Sequence, residues 1–220
     1  DTIVILEQND KLVMIGDSIT DCGRGRPAGE GLFDPYGSGY VNMVKAFLDA
    51  RHPNLAIRVV NKGNSGNTVR ELKARWQEDV LDQKPNWLSI MIGINDVWRQ
   101  FDSPKMPETH VGLKEYERTL EELITASLPG LKGLILVTPY FIEPNRDDPM
   151  RARMNAYGAV IKALAEKHNA ILVDTQAGFD RMLEHMHPMA LAWDRVHPNS
   201  SGHGVIATCF LEAINCEASA

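Results

Sequence analysis

The sequence predicts an α/β domain with a mostly parallel sheet of five strands. Three observations carry this reading. Short apolar runs alternate with longer segments of helical period. Two helix starts carry capping signals that are independent of periodicity. The longer irregular stretches each follow an apolar run, as do the loops that form the ligand crevice in open α/β sheets.

Taken in chain order, the first strand is expected at Leu12–Ile15, followed by a helix over Tyr40–Ala50, and the second strand at Ile57–Val60. Val69, Leu72, Trp76 and Val80 then recur at helical spacing, and Thr68 with Glu71 three residues later fits a capping box at the head of that helix. The third strand is Leu88–Ile92, and Leu113, Tyr116, Leu120 and Leu123 mark the next helix. After a fourth strand at Leu134–Val137, Asp148-Pro149 reads as an N-cap followed by proline at the first helical position, ahead of Met154, Tyr157, Ile161 and Leu164. A fifth strand at Ile171–Val173 and helices around Ala177–His187 and Ser201–Asn215 complete the chain. Asp21–Gly39, Val97–His110 and Pro139–Asp148 are expected to be irregular. With 220 residues and no internal repeat or low-complexity linker, one domain over 1–220 is the expectation.

Composition excludes several classes of function. The 23 Lys and Arg against 29 Asp and Glu give a formal charge of −6, and no basic cluster interrupts it, which argues against a nucleic-acid or anionic-membrane surface. No apolar run is long enough to span a membrane. Cys22, Cys209 and Cys216 are odd in number and form no C-x-x-C, so they read as free thiols in a reducing compartment. The first residues lack the basic and apolar regions of a secretion signal. The expected location is therefore cytoplasmic.

Four blocks could carry chemistry. The first strand runs into Gly16-Asp17-Ser18, placing a hydroxyl at a strand's carboxyl end, although a Gly-Asp-Ser turn is by itself commoner as a plain turn. The second runs into Gly63-Asn64-Ser65-Gly66, whose N–H groups suit an anion or an oxyanion, or simply a tight turn needing glycine. The third ends at Gly93-Ile94-Asn95-Asp96, and near the C-terminus Asp194 stands three residues before His197. Each is weak alone; together, aimed at one sheet edge, they are hard to dismiss as coincidence.

In these blocks the chain resembles the SGNH (GDSL-type) hydrolases, a superfamily of serine esterases. The match extends from position 16 to 197. More closely, GDSITDCGRGRP, VVNKGNSGNTV, MIGINDVWRQ and LAWDRVHPN are similar to bacterial acetyl xylan esterases of that superfamily. The resemblance implies a three-layer α/β/α sandwich with a flavodoxin-like five-stranded parallel sheet. It also implies removal of acetyl groups from an acetylated sugar or oligosaccharide, and assembly into a homo-oligomer.

The physical roles follow from residue chemistry. Ser18 is a poor nucleophile until a base takes its proton; His197 can take it, and Asp194 would hold the His197 tautomer. The backbone N–H groups of Ser18 and Gly66 and the Asn95 amide would meet the oxyanion. No metal or cofactor is needed. Asp17, Trp98 and Trp193 are candidates for the substrate pocket, with a buried core position the bland alternative for each tryptophan. His52, His110, His168, His185, His187 and His203 read as surface or helix-end residues. Competing readings are a lipase, thioesterase or broader carboxylesterase, a sugar- or phosphate-binding module without turnover, and a metal–phosphate site built on Asp17 and Asp21.

Overall fold

A computed structural model describes residues 3–216. Five strands form one parallel sheet: β1 (Lys11–Gly16), β2 (Arg58–Gly63), β3 (Trp87–Met91), β4 (Gly133–Val137) and β5 (Ile171–Val173), in the order β2-β1-β3-β4-β5. Leu12, Val13, Met14 and Ile15 of β1, and Leu134 to Val137 of β4, are all buried, because a parallel sheet is covered by helices on both faces.

The helices are α1 (Ser18–Asp21), α2 (Tyr40–Arg51), α3 (Val69–Trp76), α4 (Ile94–Asp102), α5 (Leu113–Ser127), α6 (Pro149–Lys167), α7 (Thr175–Leu183) and α8 (Ser200–Ala213). Helices α2, α7 and α8 pack together, and α3, α4, α5 and α6 form a second connected group. The crossover from β1 to β2 runs in one direction along the sheet and every later one in the other. Right-handed crossovers then force the two helix groups onto opposite faces. This is the flavodoxin-like strand order, and its reversal lies between β1 and β3, where open α/β sheets bind ligands.

The caps lie where the sequence places them. Thr68 Oγ1 accepts the Arg70 N–H at 3.2 Å while the Glu71 carboxylate accepts the Thr68 N–H at 3.3 Å. Asp148 Oδ1 accepts from the N–H groups of Met150 and Arg151 ahead of α6.

Two expectations are corrected. The second strand does not stop at Val60 but continues through Asn61, Lys62 and Gly63, which pair with Met14, Ile15 and Gly16. Their polarity reads as loop, yet Asn61 is buried and its amide donates to Thr20 O and Tyr36 O at 2.7 and 3.0 Å. The stretch Val97–His110 is likewise not wholly irregular, since α4 continues to Asp102. That helix starts directly from Gly93 without a side-chain cap, so no local signal announces it.

Candidate active site

Strands β1, β2 and β3 end level with one another, Gly16 lying beside both Gly63 and Met91. The three blocks that follow them are thereby brought to one edge. Asp17 is the N-cap of α1, its Oδ1 accepting the Ile19 N–H at 2.9 Å. Ser18 is thus the first residue of a helix, where its own N–H has no acceptor within that helix. Asp17 is buried, and burial pushes its carboxyl up to about 6. It turns inward to cap the helix and does not line a substrate pocket, a correction to its expected place.

Across the edge, Ser18 Oγ lies 2.9 Å from His197 Nε2, and His197 Nδ1 lies 2.6 Å from Asp194 Oδ2. The other Asp194 oxygen accepts the N–H groups of Val196 and His197 at 2.9 and 2.7 Å. Burial alone would raise the Asp194 carboxyl, but these bonds from His197 and Val196 outweigh it and hold it below the ordinary range. An ionised Asp194 selects the tautomer with the proton on Nδ1, leaving Nε2 free to accept from Ser18.

Gly66 and Asn95, the other expected oxyanion donors, follow β2 and β3 at the same edge. Gly66 is exposed with φ +81°, a conformation that favours glycine, in the loop ahead of α3. Asn95 is buried on α4, one amide N–H donating to Asn67 O at 3.0 Å and its carbonyl oxygen accepting from Arg99 at 3.1 Å. An amide nitrogen has two hydrogens, so one stays available to a developing negative charge. Gly93 makes this entry to α4 possible: its φ is +136°, and a Cβ there would lie 2.7 Å from Tyr116 Oη.

Several residues that sequence reasoning missed hold this geometry. The Asp21 carboxylate accepts from Arg26 at 2.9 and 2.8 Å and from the Ser65 N–H and hydroxyl at 3.0 and 3.2 Å. Burial would raise its pKa, but the Arg26, Ser65 and Arg24 hydrogen bonds bring it down to about 2. Asp21 is thus a brace between the β1 and β2 loops, both of its carboxylate oxygens already engaged. Among the described residues no three His, Cys, Asp or Glu side chains are grouped to hold a metal ion. Asp96 Oδ2 accepts the Val69 N–H at 3.1 Å, tying α4 to the start of α3, and its burial raises its carboxyl to about 8. Arg75 joins the strand ends, donating to Lys62 O and Gly16 O at 2.7 and 3.0 Å.

The two tryptophans differ. Trp98 is partly buried, with its ring centroid 5.5 Å from that of His197, so it packs beside the imidazole. Trp193 is 84% exposed, which excludes a core role. His203 corrects the expectation of a surface residue: it is buried, and its Nδ1 accepts the Tyr40 N–H at 3.0 Å. Burial lowers its pKa to about 4, so it stays neutral behind α1. Next to it, Cys22 is raised to about 11 by burial and by the charges of Asp21 and Asp17, which keeps it an unreactive thiol.

A serine hydroxyl bonded to an imidazole that a carboxylate orients, on a flavodoxin-like sheet edge, is the arrangement of a serine-type ester hydrolase. The chain belongs to the GDSL-like lipase/acylhydrolase family, whose profile matches residues 14–205. It is 59% identical to the acetylxylan esterase of Geobacillus stearothermophilus, over 94% of this chain and 95% of that protein. A crystal structure of Axe2, an acetylxylan esterase from that organism, superposes with a TM-score of 0.95 at 58% identity, covering 96% and 97% of the two chains. LAE5, an α/β hydrolase enzyme from the metagenome of Lake Arreo, superposes at 0.96 with 56% identity, covering 99% and 100%. Solved relatives also include catalytic mutants of Axe2 in which a serine, a histidine or an aspartate is replaced by alanine.

Proposed function

We propose that this protein removes acetyl groups from acetylated xylo-oligosaccharides through an acyl-enzyme on Ser18. The observation that carries the reading is the unbroken hydrogen-bonded chain from Ser18 Oγ through His197 to Asp194, with Asn95 on the same sheet edge. Ser18 Oγ attacks the acetyl carbonyl carbon as its proton passes to His197 Nε2. The carbonyl oxygen becomes an oxyanion facing the Ser18 and Gly66 N–H groups and the Asn95 amide. Collapse expels the sugar oxygen, which takes the proton from His197 and leaves acetyl-Ser18. Water then attacks with His197 again as base, releasing acetate and restoring the serine.

The acetylated sugar is supported by similarity to the acetylxylan esterase and to Axe2, which is also described as an acetyl-xylooligosaccharide esterase. Trp98 supports a small acyl pocket, and the exposed Trp193 suits stacking on a sugar ring. The same proposal takes the chain as one hydrolase domain. It places the protein in a reducing, cytoplasmic compartment, supported by the unpaired Cys22, Cys209 and Cys216. Assembly with further copies belongs to the same proposal, and the exposed neighbours Leu32 and Phe33 are the apolar pair an interface would cover.

Initial rates across acetylated xylo-oligosaccharides, other acetylated sugars and p-nitrophenyl esters of rising chain length test the substrate. The acetylated xylo-oligosaccharides should give the highest kcat/KM. A kcat/KM that rises with acyl length would place the protein among lipases or thioesterases.

A further inference from the structure

Between Asp194 and His197 the chain passes through a conformation that side chains resist. Arg195 has φ +64°, in the left-handed region where a Cβ crowds the following carbonyl oxygen. Its N–H donates to Ala192 O at 3.3 Å, and its carbonyl accepts the Ile142 N–H at 2.9 Å. Its guanidinium pairs with the Glu143 carboxylate. Glu143 is buried and fixed from behind: its carbonyl accepts from Arg151 at 2.6 Å and its Oε1 from the Asn145 N–H at 3.0 Å. Tyr140 Oη donates to the Val196 carbonyl at 2.8 Å. The segment after β4 therefore grips both residues that separate the carboxylate from the imidazole.

We propose that Glu143 and Arg195 are positioning residues for the reaction, their ion pair holding residue 195 in the left-handed turn that presents Asp194 to His197. The inference rests on the assignment of Asp194 and His197 to the triad. The turn is what allows Asp194 Oδ1 to accept two successive N–H groups while Oδ2 faces the imidazole. Relaxation of residue 195 to negative φ rotates those N–H groups away from Oδ1. The imidazole then loses the partner that fixes its tautomer, and Ser18 loses a properly oriented base.

Substitutions at position 195 separate backbone conformation from charge. Arg195→Gly and Arg195→Ala both lack the guanidinium, but only glycine adopts a positive φ freely. With p-nitrophenyl acetate, kcat should fall roughly fivefold to thirtyfold in Arg195→Ala and in Glu143→Gln, the range set by the left-handed cost, with little change in KM. Arg195→Gly should regain most of that loss, and Glu143→Gln combined with Arg195→Gly should behave like Arg195→Gly alone. The low-field proton resonance of His197 Nδ1–H should weaken in the alanine variant and persist in the glycine variant. Equal kcat for alanine and glycine at 195 overturns the proposal, as does a loss in Glu143→Gln that Arg195→Gly does not repair. Ser18→Ala keeps the two questions apart. Full turnover there overturns the triad itself, whereas an inactive Ser18→Ala alongside equal alanine and glycine variants overturns the clamp alone.

Discussion

Replacing Asp194 with asparagine asks how the imidazole is oriented, and the structure dictates which way the new amide must face. Two backbone N–H groups, of Val196 and His197, converge on Oδ1, while Oδ2 takes the ring nitrogen at 2.6 Å. In Asp194→Asn the backbone donors select the amide oxygen, which turns the NH2 group onto His197 Nδ1. That nitrogen must then accept, so the ring proton moves to Nε2, where it blocks transfer from Ser18 Oγ 2.9 Å away. Flipping the amide restores the tautomer but loses both backbone bonds, roughly 1–3 kcal/mol together. The flipped form is then the minor one by a factor of about 5 to 150, and it lacks the charge that stabilises the imidazolium. We therefore expect kcat to fall by about 10³ to 10⁴. Asp194→Ala leaves Nδ1 facing water, which can accept its proton, so alanine should be at least as active as asparagine despite the poorer match in shape. The assay is kcat on p-nitrophenyl acetate at neutral pH for both variants, with thermal midpoints measured in parallel. An asparagine variant within about tenfold of wild type, or well above the alanine variant, would refute the orientation argument.

Asn95→Ala should lower kcat by about 10² to 10³ with a smaller change in KM, and a raised KM at constant kcat would make Asn95 a ground-state binding residue. Because Asp21 is held down to about 2, its stabilisation is fully present above pH 4 and lost as the pH falls through about 2. The stability gap between wild type and Asp21→Asn, roughly 1–2 kcal/mol once screening at the half-exposed Arg26 is allowed for, should close over that window in urea titrations; a constant gap would refute the brace. Acetyl esters should be preferred over butyryl and octanoyl esters, since overpacking against Trp98, roughly 1–3 kcal/mol, outweighs about 0.8 kcal/mol per buried CH₂. Trp98→Ala should narrow that preference, and an unchanged ratio would show that Trp98 is no pocket wall.

How much of this is legible in the sequence depends on the range of the contacts. Four of the strands show because each is a short apolar run, β2 shows only in the half that holds Val59 and Val60, and α3 and α6 show because their caps lie within three residues of the first turn. Ser18, Asn95, Asp194 and His197 show because each sits in a short motif at the end of a strand or loop. Asp21 with Ser65 and Glu143 with Arg195 do not show, since they join residues 44 and 52 positions apart (65 − 21 and 195 − 143). Nothing local separates such charges from solvated ones. Asp17 illustrates a different failure: its neighbour Ser18 is the proposed nucleophile, which suggests contact with substrate, but the side chain is buried with one oxygen capping α1. His203 was within reach of sequence reasoning, because Ile206 and Phe210 follow it at helical spacing on the buried face of α8.

The nucleophile follows the first strand, and its base arrives 179 residues later, in the loop between α7 and α8. Nearly all of the sheet and both helix layers are laid down between them. Joining ends so far apart carries a larger loop-closure entropy than any neighbouring contact, and such long-range contacts are formed late in folding. On dilution from denaturant, helical circular dichroism should return first and ester hydrolysis last. Recovery of activity in this protein would thus time the closure of the chain's two ends onto one site, a step that secondary-structure probes do not report.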